Sequence, residues 1–92
     1  MSYYLLRPCK GKAAFEAVPR FEVQIDINSA KVVMKANGYK VVDAGIMLVL
    51  AKGEAEVSLY PSGKLLIKAV SGKEASEEAN KIYGLLGIPN GI

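Results

Sequence analysis

The chain has 92 residues, 51% hydrophobic and 23% charged, which suits one folded domain with a single modest core and excludes a disordered chain. No apolar run approaches the roughly 20 residues of a membrane span, and the start MSYYLLRPCK has neither the basic region nor the apolar stretch of a secretory leader, so a cytoplasmic protein is expected. With no histidine and a single cysteine, Cys9, the chain can form no internal disulfide and has no imidazole to activate a thiol, so redox and nucleophilic chemistry are not expected.

The 12 basic and 9 acidic residues are unevenly spread. Arg7, Lys10, Lys12 and Arg20 stand against Glu16 alone in residues 1–20, so the formal charge of +3 arises there and the rest of the chain is balanced. Residues 1–20 thus read as a basic segment packing on or beside a domain at 21–92. Its four basic residues make it a candidate nucleic-acid arm. Its apolar residues, Tyr3, Tyr4, Leu5, Leu6, Phe15 and Val18, need cover of their own, as an edge strand or across the sheet.

FEVQIDI at 21–27 alternates strictly, with Phe21, Val23, Ile25 and Ile27 on one side and Glu22, Gln24 and Asp26 on the other, which predicts a half-buried strand. Asn28 or Ser29 is placed to cap a short helix through Ala36, and Gly38 suits its left-handed end. A short extended segment follows at Tyr39 to Val42. IMLVL (46–50) reads as a central strand, Lys52 and Gly53 as a turn, and AEVSLY (55–60) as another strand. Pro61, Ser62 and Gly63 match a type I turn with a glycine bulge leading into LLIKAV (65–70). Ser71 and Glu74 then form a capping box for a helix whose apolar face is Ala75, Ala79, Ile82 and Leu86, with a Glu77–Lys81 pair and Gly87 as terminator.

Other chemistry finds little support. The Gly-Lys pairs at 11–12, 63–64 and 72–73 lack the upstream glycine of a phosphate loop. Asp26, Asp43 and Glu56 read as solvated surface carboxylates rather than a metal or acid–base site. Neither a cofactor nor enzyme activity is expected.

From Asp43 to about Leu86 the segments AGIMLVLAKG, EVSLY, PSGK, LLIKAV and SGKEASEEANKIYGLL together resemble one repeat of the TATA-binding-protein family. The resemblance implies an α+β fold, a half repeat in which a curved antiparallel sheet of about five strands carries two helices on one face. Val23, Ile25, Ile46, Leu48, Leu50, Val57, Leu59, Leu65 and Ile67 would then lie under the helices. The opposite face would show Glu22, Gln24, Asp26, Met47, Val49, Glu56, Ser58, Tyr60, Leu66, Lys68 and Val70. Family members drive phenylalanine wedges between base pairs from that face. Here Tyr60 stands at one wedge position, Asp43 falls on its partner, and Val49 replaces a family arginine; with Glu22, Asp26 and Glu56 nearby, TATA-type bending is not expected.

The reading that follows is a non-enzymatic binding module that engages protein through its open sheet face, with Tyr60, Met47, Val49, Leu66, Lys68 and Ser58 as candidate contacts, or through a sheet edge. A single repeat leaves an edge unpaired, so self-association as a homodimer is expected, with FEVQIDI as the pairing strand. In the competing arrangement YYLLRP covers the edge and Pro8 ends the pairing. The alternative function is a nucleic-acid-binding accessory protein using the basic arm and sheet face, as the resemblance implies from single domains of this fold attached to a bacterial ribonuclease H.

Overall fold

A computed structural model describes residues 4–8, 14–20, 22–53, 55–68 and 71–87. The elements in chain order are β1 (Tyr4–Pro8), β2 (Ala14–Pro19), α1 (Ile27–Ala36), β3 (Lys40–Asp43), β4 (Leu48–Lys52), β5 (Ala55–Leu59), β6 (Leu65–Lys68) and α2 (Gly72–Leu85). They form one antiparallel six-stranded sheet in the order β1-β2-β6-β5-β4-β3, and both helices pack on the same side of it. This is the expected α+β class, with six strands in place of about five.

The core follows from strand alternation. Leu48, Leu50, Val57, Leu59, Leu65 and Ile67 are buried beneath Ala30 and Met34 of α1 and Ala75, Ala79, Ile82 and Tyr83 of α2. Ser71 caps α2 as expected, its hydroxyl accepting from the Glu74 N–H at 3.2 Å. The 61–63 turn also forms as read: the Gly63 N–H donates to the Tyr60 carbonyl at 2.9 Å and the Tyr60 N–H to the Lys64 carbonyl at 3.0 Å. Gly63 is required twice over. Its φ of +89° is left-handed, and a Cβ there would stand 3.0 Å from Pro19 Cγ. Lys81 pairs with Glu78 at 3.6 Å instead of Glu77.

The largest departure is at 21–27. Residues 22–26 belong to no strand, because β2 occupies the place beside β6, with Ala14–Ala17 in register against Leu65–Lys68. After Pro19 the chain crosses the β5–β6 turn, and the Ile25 N–H donates to the Pro61 carbonyl at 2.7 Å. The alternation survives in the burial: Val23 and Ile25 are half-buried, Glu22 and Gln24 exposed. Asp26 is the N-cap of α1, not an open-face residue; its carboxylate accepts from the Asn28 and Ser29 N–H groups, so those two residues are capped and do not cap. Homodimer pairing through FEVQIDI therefore lacks its strand, and YLLRP lies at an edge instead.

Ile46 is also displaced from its expected place. The strand begins at Leu48, and the Ala44 N–H donates to the Met47 carbonyl at 2.9 Å across a two-residue turn of Gly45 (φ +91°) and Ile46. Ile46 sits at the tip of that turn, 73% exposed, and is no part of the core.

Candidate functional site

The face opposite the helices is assembled by register. One line across the sheet runs Arg7, Glu16, Leu66, Ser58, Val49, Val42, and the next runs Ala14, Lys68, Glu56, Ala51, Lys40. Residues directly opposite in antiparallel strands share a face, so both lines lie on the open side. Alternation carries Met47 and Tyr60 to the same side beyond the ends of β4 and β5. Tyr60 is fixed there by Lys64, whose ammonium lies 4.7 Å from the ring centroid and 3.6 Å from the Glu16 carboxylate. All six candidate contacts, Met47, Val49, Ser58, Tyr60, Leu66 and Lys68, thus share one face; Val70 lies outside the described residues.

Its electrostatics differ from the sequence expectation. Asp43 is turned to the helix side, where it accepts from the Gly45 N–H at 2.9 Å and from Lys31 Nζ at 3.1 Å. Those bonds hold its carboxyl below the ordinary carboxylate value. With Glu22 and Asp26 outside the sheet as well, the carboxylates that the face keeps among the described residues are Glu16 and Glu56. Glu56 meets Lys68 at 3.0 Å. The Arg7 guanidinium, bonded to Glu16 at 2.6 Å, holds that carboxyl below its ordinary value; Lys64 adds to the effect and partial burial opposes it. Lys40 is exposed and meets no carboxylate among the described residues.

Two residues of the candidate basic arm, Arg7 and Arg20, are among the described ones. Arg7 belongs to β1 and is committed to Glu16, Arg20 is exposed just after β2, and Lys10, Lys12 and Cys9 lie outside the described residues.

On the helix side, three tyrosines are joined to the frame in ways the sequence did not signal. The buried Tyr83 hydroxyl donates to the Gly63 carbonyl at 2.6 Å, tying α2 to the β5–β6 turn. Tyr4 of β1 packs its ring 5.2 Å from that of Tyr83 and donates to Asn80 Oδ1 at 2.8 Å. Tyr39 donates to Glu78 at 3.0 Å; burial first, then that carboxylate, push its hydroxyl above the ordinary phenol value, so it stays neutral. A cleft of about 310 Å³ beside the start of α2 is lined by Glu74, Glu77 and Glu78 with Lys68 and Lys81. Among the described residues no cluster of acidic, cysteine or histidine side chains could hold a metal ion, and no helix is long and apolar enough to cross a membrane. No family model, curated protein or solved structure matches the chain.

Proposed function

We propose that this protein is a non-enzymatic binding module that engages a protein partner through its open sheet face and self-associates through a sheet edge. The observation that supports it is the make-up of that face: Val42, Val49, Leu66, Met47 and Tyr60 surround Ser58, while Arg7, Lys64 and Lys68 are largely committed to Glu16 and Glu56. Apolar groups with internally paired charges suit a protein surface better than a polyanion, which requires cations free to meet phosphates.

A second reading, nucleic-acid binding on the same face, draws support from the removal of Glu22, Asp26 and Asp43. Among the described residues four basic side chains, Arg7, Lys40, Lys64 and Lys68, then stand against two carboxylates. Affinity capture from cell extract distinguishes the two, using the native chain and Val49→Glu with and without nuclease. The protein reading expects nuclease-resistant capture that Val49→Glu abolishes. Nuclease-sensitive capture, with oligonucleotide binding that weakens steeply as salt rises, would transfer the face to nucleic acid.

A further inference from the structure

The two edges of the sheet are built differently, and their backbone parity can be followed strand by strand. In an antiparallel ladder, hydrogen-bonded and non-hydrogen-bonded pairs alternate. The Ala44 to Met47 bond makes that pair hydrogen-bonded, so Val42 with Val49 and Lys40 with Ala51 are hydrogen-bonded too. Val41 and Asp43 consequently turn their N–H and C=O groups away from β4, toward the open edge. The same alternation, followed from the Tyr60 to Lys64 bond through β6 and β2, leaves Tyr4, Leu6 and Pro8 facing outward on β1. Pro8 has no N–H to offer there. β1 thus has complete donor–acceptor sets at Tyr4 and Leu6 but a bare acceptor at Pro8, whereas both outward positions of β3, Val41 and Asp43, are complete.

We infer that β3 is the self-association edge, and that a second copy of this chain pairs with it antiparallel about a twofold axis at Val42. This rests on the self-association in the proposed function and names the strand and register through which it occurs. In this register Val41 exchanges both backbone bonds with Asp43 of the second copy, and Asp43 with Val41. The two Val42 side chains meet on the open face as a close, non-hydrogen-bonded pair. Val42 is 60% exposed in the single chain, and the contact covers it. No like charges oppose each other, since Lys40 faces Ala44 of the second copy and Asp43 faces Val41. The axis makes the contact isologous: each copy uses its own β3 edge, so this contact joins two chains and no more.

Two measurements test this. Sedimentation equilibrium of the full chain from micromolar to submillimolar concentration is expected to show a mass rising from 9.8 kDa toward twice that value, and Val42→Lys, which sets two ammonium groups against each other at the axis, to raise the dissociation constant at least about tenfold. In a Cys9→Ser background, Val42→Cys is expected to cross-link into a disulfide dimer on mild oxidation, because non-hydrogen-bonded partners lie roughly 4.5 Å apart between Cα atoms. Val32→Cys, 69% exposed on the outer side of α1, is not expected to do so. A 9.8 kDa mass at every concentration, or a dimer in which Val42→Cys cross-links no faster than Val32→Cys, overturns the inference. Either result leaves capture by the open face to be judged separately by its response to Val49→Glu.

Discussion

The β1 end of the sheet and the β3 end solve the same problem differently. At the β1 end the strand is tied down from above: Tyr4 reaches Asn80 on α2, its ring packs on Tyr83, and Tyr83 in turn holds the Gly63 carbonyl. At the β3 end the buried Tyr39, just before the strand, donates to Glu78 and Val41 packs against the core, but the strand has four residues, Val42 is exposed, and Asp43 is held by a surface pair with Lys31. Buried aromatic packing with a satisfied hydroxyl is worth far more than an exposed ion pair, so Tyr39 holds the start of β3 more firmly than the Lys31–Asp43 pair holds its end. Both ends are therefore anchored through a buried tyrosine, and what distinguishes the β3 end is the exposed run of Val42 and Asp43 beyond Tyr39.

That contrast can be broken most severely by removing the β1 end. A chain beginning at Arg20 lacks β1 and β2, uncovers β6, and is expected to lose cooperative melting by circular dichroism; an unchanged melting temperature would show that the first two strands contribute nothing. Leu59→Ala, in the buried centre shared by both ends, is expected to cost about 2 to 5 kcal/mol in urea denaturation, and Tyr60→Ala, one residue on and facing out, much less. Equal costs would reverse the assignment of faces. Tyr83→Phe leaves the Gly63 carbonyl without its hydroxyl donor and is expected to cost about 1 to 3 kcal/mol, whereas Val42→Thr at the exposed end of β3 should change the monomer's stability by less than about 0.5 kcal/mol.

The smallest effect concerns pH. The Glu16 carboxyl is held low in the folded chain by Arg7 and Lys64, so its contribution is present above the unfolded carboxylate value of about 4.3 and is lost as pH falls through the lower folded value. Arg7→Met should flatten the stability profile in that acid range and leave it nearly unchanged at pH 7, apart from the loss of a surface pair worth up to about 1 kcal/mol. A profile identical to that of the native chain would show that Glu16 gains nothing from Arg7.

The parts legible in the sequence were those whose signals are local. Pro61–Gly63 specifies its own turn, Ser71 and Glu74 announce α2, and the alternation of β5 and β6 placed Val57, Leu59, Leu65 and Ile67 in the core and Ser58, Leu66 and Lys68 on the open face. FEVQIDI was misassigned because alternation reports one-sided burial and says nothing about hydrogen-bond partners; Val23 and Ile25 are half-buried against a turn instead of in a ladder. AFEAVP carried little strand signal, yet Ala17 is fully buried against Leu65, and the sheet gains Glu16 as the anchor for Arg7 and Lys64. Ile46 was hidden inside an apolar run, where composition could not show that Gly45 turns the chain. The candidate site was thus found by parity on β4 to β6, while its charges, contributed by β1, β2 and the 61–64 turn, depended on pairings between residues far apart in sequence.

Amide hydrogen exchange at two protein concentrations tests the difference between the ends most directly. At a concentration well below the dissociation constant, the Val41 and Asp43 amides should exchange quickly as free edge donors. Well above it both should become protected, while the outward Leu6 amide on β1 keeps the same rate. Protection at Val41 and Asp43 that does not depend on concentration, or a concentration-dependent change at Leu6 instead, would contradict the assignment of β3 as the open edge.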